Sequence, residues 1–491
     1  MKKYYFFVIG LIFFGTVNAQ IINFPDANFK NSLVGYGSIV SDTNGNQIIL
    51  DSNLDGEIQQ SEALMAVSLI VYYANISDLT GIEYFTNLTS LNCNNNNLSN
   101  LNISNNVLLT HLYCQNNNLT NLSLINNSAL NVLYCNSNLL TNINLGNLIN
   151  LTTLNINSNQ LSSLNVSNNT NLEYLNCNSN LIPNLNVSNN NNLLQLECAS
   201  NQLSNIDVSN NNLLNHLNCS SNLLSNLNVS NNNSLAYFYC SSNQLSNLNL
   251  VNNPLLIDLS CNSNQLSNLD LIDKISLKNL ICHNNSITNL NLSNNPELFR
   301  LECNNNQIVS LDLGNNNLLS YLNCSYNSLI SLNVSNTKLE TLYCNNNSLI
   351  SLDVSNIQEL IYLSCHDNLL SVLNLTGITG LDFLFCSNNQ LTSLNLNENT
   401  ASFGYSIVDC QNNLLTNLIC TIPINQLSCG NNPLTNLEVS YLSFLSVSNT
   451  LLTSLNLNNT GINGLISLYC QDNNQLTSVF LKNGRKLLIL I

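Results

Sequence analysis

The chain predicts a β-rich solenoid of about twenty stacked coils, with a parallel sheet on one face and short strands or 3-10 turns on the other. Three observations predict it. Cysteines recur at 93, 114, 135, 177, 198, 219, 240, 261, 282, 303, 324, 344, 365, 386, 410, 429 and 470, almost always 21 residues apart, or twice that where Ile156 takes the slot. A fixed period in this range is the mark of a stacked repeat. Each cysteine sits in a pattern L-x-x-L-x-C-x-x-N-x-L, as over Leu109 to Leu119, and half a coil later a similar pattern returns, as over Leu98 to Asn106. Each half alternates apolar and polar residues as a strand does, and 21 residues leave no room for a helix of ten or more.

Taken in order, the chain opens with a stretch resembling a secretory leader at 1–19. Lys2 and Lys3 precede the apolar run Phe6 to Val17, and Val17-Asn18-Ala19 offers a small-residue cleavage site. The run is too short to span a bilayer, and no later segment is apolar enough to do so. Residues 20–66 do not repeat and are expected to form a cap. Asp26 is placed to cap a short helix whose face carries Phe29, Leu33 and Val34. The segment Asp51-Ser-Asn53-Leu-Asp55-Gly56-Glu57-Ile-Gln59-Gln-Ser-Glu62 fits the calcium-loop pattern D-x-[DN]-x-[DN]-G-x5-E. Oxygen ligands for one structural Ca²⁺ would come from Asp51, Asn53, Asp55, the Glu57 carbonyl, Gln59 and Glu62. The flank Gln47 to Leu50 reads as extended, so the loop is expected to stand alone rather than between two helices. An acidic turn without metal is the competing reading.

Coils run from about 67 to 480. With the cysteine slot as position 1, position 4 is nearly always Asn, and positions 6, 9, 17 and 20 are mostly Leu or Ile. The position-4 Asn is expected to make the turn in left-handed backbone while its amide bonds main-chain groups of its own and the adjacent coil. Val71, Ile156 and Val447 fill the cysteine slot too, so that slot asks for a small apolar group. In-register parallel neighbours point their Cβ atoms the same way, which argues against bridges, and no CxxC pair offers a zinc site. The column is read as buried, reduced thiols. After Cys386 the steps become 24, 19, 18 and 23, and Cys420 falls on the second-strand slot. Residues 481–491 are expected to fit no coil, as an atypical or truncated end.

The coils resemble the bacterial leucine-rich repeat family, and within it the nested 21-residue kind called IRREKO. Leu301-Glu-Cys303-Asn-Asn-Asn306-Gln-Ile308-Val-Ser-Leu311-Asp312-Leu313 carries the likeness. It covers roughly residues 67–480. The calcium-like loop leading into Ile76-Ser-Asp-Leu79-Thr-Gly-Ile82 looks like the front of exported leucine-rich repeat proteins of Bacteroidetes bacteria. The resemblance implies a protein-interaction or adhesion module with no shared catalytic residues.

Ten cations against 26 carboxylates give a net charge of −16, with no basic stripe. Nucleic acid and anionic lipid are therefore poor partners. His111 and His216 share position 19 five coils apart, and His283 and His366 share position 2 four coils apart, so no two meet at a metal or a nucleophile. No phosphate loop and no serine nucleophile with a base is present. Positions 19 and 21 flank the inward leucine of the first strand and should face outward. They carry Tyr113, Tyr134, Tyr174, Tyr237, Tyr239, Tyr321, Tyr343, Tyr362, Phe383, Phe385 and Tyr469, with Arg300 among them. Such aromatics serve as contact points for protein or glycan, or pack on one another as strand surfaces do. The chain is expected to be a secreted or cell-surface monomer that binds protein or glycan without catalysis. The alternative is a structural spacer or surface-layer element with no ligand.

Overall fold

The computed structural model describes residues 20–35, 39–397, 399, 404–458, 465–481 and 488–490. The expected leader at 1–19 lies outside the described residues. The chain divides into two units, Met1–Leu172 and Glu173–Ile491.

The first unit begins with the cap. Helix α1 (Ala27–Val34) starts where Asp26 predicts. Asp26 Oδ1 accepts the Asn28 and Phe29 N–H groups at 2.8 and 3.0 Å. Its Oδ2 accepts the Ser77 N–H and hydroxyl, both at 2.7 Å, so one carboxylate caps the helix and ties it to the first coil. Strand β1 (Ile39–Ser41) lies antiparallel to β2 (Gln47–Ile48) on one side and β3 (Ser68–Ile70) on the other. Because β3 then pairs in parallel with Ser90–Asn92, the cap covers the edge that the first coil would otherwise leave open.

From there the ladder is regular. Ser90–Asn92, His111–Tyr113, Val132–Tyr134 and Thr153–Asn155 pair in parallel with partners 21 residues apart. The second unit repeats this from Tyr174–Asn176 through Tyr321–Asn323. Inward residues such as Leu112, Cys114, Leu119, Leu259 and Leu280 are buried, each contributing about 1.5–3 kcal/mol by leaving water. Short strands mark the second side only in places, for example Leu164–Asn165 and Ser351–Asp353.

All eighteen cysteines are free and buried, as the column reading expects. Burial pushes the Cys93, Cys219 and Cys303 thiols up to about 12. The thiolate is the reactive form, so at neutral pH these groups behave as small hydrophobes.

One expectation needs correction. The left-handed residue of the first turn is not the position-4 Asn but the residue before it, for example Asn116, Ser137, Ser242 and even Tyr326, at φ of 52–55°. The Asn leaves the backbone conformation to its neighbour and spends its side chain on hydrogen bonds.

The irregular spacing after Cys386 does not break the ladder. Phe385 pairs with Asp409, Asp409 with Ser428, Ser428 with Ser446, and Ser446 with Tyr469. Asn417–Ser428 runs as one twelve-residue strand from the other side of the coil into this ladder, where Gln426 to Ser428 pair with Phe444 to Ser446, and Cys420 pairs with Val439 just before a register shift. Of residues 481–491, expected to fit no coil, only 481 and 488–490 are described. Ser478–Leu481 pairs with Ser454–Leu457, and Leu488–Leu490 pairs in parallel with Ser467–Tyr469, so these segments continue the coils.

Candidate functional site

In the first unit the outward first-strand positions place Tyr113 against Tyr134, ring centroids 5.4 Å apart, with His111 stacked on Tyr113 at 6.5 Å. Both tyrosines are half-buried. Burial, and then the neighbouring Tyr134, raises the Tyr113 phenol above its ordinary value.

Among the described residues the second unit carries three aromatic groups on this face, the last being the Phe444–Tyr469 pair. Near its start, His216 stacks on Tyr237 at 5.9 Å and meets Tyr239 at 5.4 Å. Further along, Tyr321, Tyr343, Tyr362, Phe383 and Phe385 form a chain of tilted rings with centroids 4.8–6.1 Å apart. Arg300 lies over the Tyr321 ring at 4.2 Å and is held by Glu302 at 2.5 Å. Burial pushes the Tyr362 phenol up to about 12, with Tyr343 adding to the effect. The Tyr321 phenol is likewise raised by burial, so these two stay neutral donors near pH 7. Tyr174 shares the face and accepts from Asn176 Nδ2 at 3.2 Å.

The expected aromatic residues therefore do share an outward face within each unit, and they also pack on one another. The two readings of these rings are not exclusive: each group buries its edges and leaves part of its surface open.

Sequence reasoning missed the polar members of the face. Glu197 is buried beneath the first aromatic group. Its Oε1 lies 2.6 Å from His216 Nε2, within ion-pair distance although off the line of an ideal hydrogen bond. Asn218, Asn178 and Gln195 donate to the same carboxylate at 2.9–3.1 Å. Burial alone would raise this carboxyl, but the close His216 ring and the bonds from Asn178 and Gln195 outweigh it and hold it below the usual value. Asp258 accepts from Asn279 one coil on. Phe444, which packs on Tyr469 at 5.4 Å, was also missed. A signal existed for all but Asn178, which stands at position 2: the others occupy positions 19 or 21, or their equivalents in irregular coils.

The calcium-like loop winds as its pattern predicts. Asp51 accepts the Asp55 and Gly56 N–H groups, Asn53 accepts from Asp55, and Asp55 accepts from Glu57. Gly56 takes φ +80°, the conformation the tight turn needs. Asn53, Asp55 and Gln59 side chains meet one another at 2.9–3.2 Å. Glu62 does not join them. Its carboxylate accepts Ser52 N–H, Ser52 hydroxyl and Gln59 N–H, closing the loop and capping helix α2 (Gln60–Ala63). Glu57 pairs through its side chain with Lys30 at 2.6 Å. Among the described residues no three His, Cys, Asp or Glu groups come together as a metal cluster. Asp51, Asn53, Asp55, the Glu57 carbonyl and Gln59 would hold Ca²⁺ as the pattern expects, and Glu62 would have to share its oxygens between the ion and its bonds to Ser52 and Gln59.

Comparison with solved structures places these coils among known ones. The functional domain of InlJ from Listeria monocytogenes, described as including a cysteine ladder, is 34% identical over 64% of this chain and 70% of that one, with a TM-score of 0.62. The internalin inlF of the same organism is 27% identical over 64% of this chain and 92% of its own, with a TM-score of 0.58. YopM from Yersinia enterocolitica shares the fold at 23% identity, over 84% of this chain and 91% of its own, with a TM-score of 0.61. No family model matches the chain, and no curated protein does.

Proposed function

We propose, from the premise that the chain belongs to the leucine-rich repeat proteins, that it is an exported, non-catalytic module that captures a protein ligand on its first-strand face. The observation that carries this reading is the open ring chain Tyr321, Tyr343, Tyr362, Phe383 and Phe385 in the second unit. Large rings that are partly packed already lose little freedom on binding, and partly open ones have area to give. Export rests on the leader-like stretch at 1–19, and a bacterial surface is the setting in which such a module would act as an adhesin. Glycan stacking is the narrower alternative: rings tilted against one another present edges as much as faces. Tyr321→Ala, Tyr343→Ala and Tyr362→Ala made together should abolish capture of surface proteins on an array and leave the thermal midpoint within a few degrees. Unchanged capture would sink the proposal, and a chain silent on every array would favour a spacer. Calcium at the 51–62 loop belongs to the same reading. Adding Ca²⁺ to chelated protein should raise the melting temperature of the cap, and no change would remove the ion.

A further inference from the structure

Between the first two aromatic groups of the second unit, the outward positions turn to smaller, non-aromatic residues. Asp258 and Ser260 occupy one coil and Asn279 and Ile281 the next, with Tyr239 on one side and Arg300 on the other. Larger residues flank smaller ones, so the face dips. The result is a cavity of about 310 Å³ lined by these six residues and Leu259, two coils wide. Two coils at about 4.8 Å each leave room for one long side chain of a partner but not for a folded element.

The chemistry of the notch is one-sided. Arg300 is the one cation lining it, and Glu302 neutralises it through both Nε and Nη2 while Tyr321 covers its guanidinium. Asp258 has no cationic partner among the described residues, and its bonds from Asn279 and the Tyr239 hydroxyl leave further acceptor positions on the carboxylate. Glu197 adds negative field from the neighbouring group, felt at the Tyr239 hydroxyl after burial and after Asp258 itself. The whole chain carries −16, so a cationic group is drawn toward it before contact.

We propose that this notch receives a single basic side chain, arginine or lysine, of the bound polypeptide, with Asp258 as its counter-ion and the Tyr239 ring as its wall. The inference rests on the reading of the first-strand face as the binding surface and names what one part of that surface selects. An arginine or lysine stem lies along Tyr239 and Ile281, and its charged head meets Asp258 while cation–π attraction to the ring adds to the pairing. An acidic side chain would face Asp258 and Glu302 with only a neutralised Arg300 in return.

The test uses saturation-transfer NMR on the full chain, with the acetylated amides of arginine, lysine, glutamine and glutamate at millimolar concentration. Arginine and lysine probes should respond, and glutamine and glutamate should respond far less. Asp258→Asn should weaken the arginine probe about tenfold, the scale of one charge-assisted bond. Asp207→Asn, which removes the same charge from an exposed second-strand position, should leave it unchanged. If Asp258→Asn does not fold, Ile281→Trp fills the notch and should block the probe as well. Tyr343→Ala with Tyr362→Ala lies outside the notch and should keep the response, so a failed notch and a failed aromatic face are told apart. Equal response to all four probes, preference for glutamate, silence from arginine and lysine, or an unaffected Asp258→Asn or Ile281→Trp would each overturn the proposal.

Discussion

Each coil turns twice, and the two turns solve the same problem unequally. At the first, the position-4 Asn uses its whole amide. Asn243 Nδ2 donates to the Cys219, Cys240 and Ser241 carbonyls at 3.0–3.2 Å, and its Oδ1 accepts Leu224 N–H at 3.0 Å. At the second, Asn253 Nδ2 donates to the Val229 and Asn232 carbonyls, both at 3.0 Å, while its Oδ1 is buried without a partner. The same orphan oxygen recurs at Asn106, Asn127, Asn211, Asn232, Asn295 and Asn316. The sequence follows this difference. The first column departs from Asn only at Ala74 and Thr450, whereas the second also takes Leu148, Lys274, Thr337, Ile357 and Ile378. A group that satisfies donors and acceptors together has no substitute, while one that serves only carbonyls and strands its own oxygen can be traded. Thr337 shows the trade: its hydroxyl donates to Val334 at 2.7 Å, and no amide oxygen is stranded. Lys274 shows its cost. Its Nζ reaches the Ile272 carbonyl at 2.9 Å, and burial lowers its pKa despite Asp273 and Asp270 nearby.

The largest effect should come from breaking the first column. Asn243→Ala orphans one N–H and leaves three carbonyls short, and should cost about 3 kcal/mol in denaturant unfolding. Asn253→Ala should cost about 1–2 kcal/mol, because it removes two bonds but also an unpaired oxygen. Equal losses at the two sites would show that the turns do not differ as the hydrogen bonds say. Acid sharpens the contrast further, since neither Asn column titrates but the cap does. Burial alone would raise the Asp26 carboxyl; the bonds from Ser77, Phe29 and Asp78 outweigh it and hold its pKa below the ordinary value. Its stabilisation is thus present above the unfolded value of about 3.9 and is lost as pH falls through the lower folded value. Hydrogen exchange should show α1 loosening below about pH 4, by about 1 kcal/mol, while the amides of the central coils stay protected. Smallest of all, Ser242→Gly relaxes a left-handed residue and should raise stability by no more than about 1 kcal/mol.

Much of this was legible beforehand, for a definite reason. A stacked coil repeats its inward demands every turn, so Leu112, Cys114 and Leu119 announce the core by period alone, and the outward tyrosines follow by alternation. Asp26 was legible as a cap because capping is local; its second bond set, to Ser77, spans 51 residues and was not. Cys420 fell visibly on the wrong slot, but the long strand that explains it depends on pairing with Val439.

The sequence by itself determined the fold class, the core column, the free thiols and which letters face outward, because each follows from periodicity and the pleat. Only the tertiary structure decided which residue takes the left-handed turn, which Asn column is fully bonded, and that Asp258 and Asn279 form the floor of a notch between Tyr239 and Arg300. Those facts depend on partners about one to three coils away or on the direction of individual bonds. Register between neighbouring coils, which no single repeat contains, sets them.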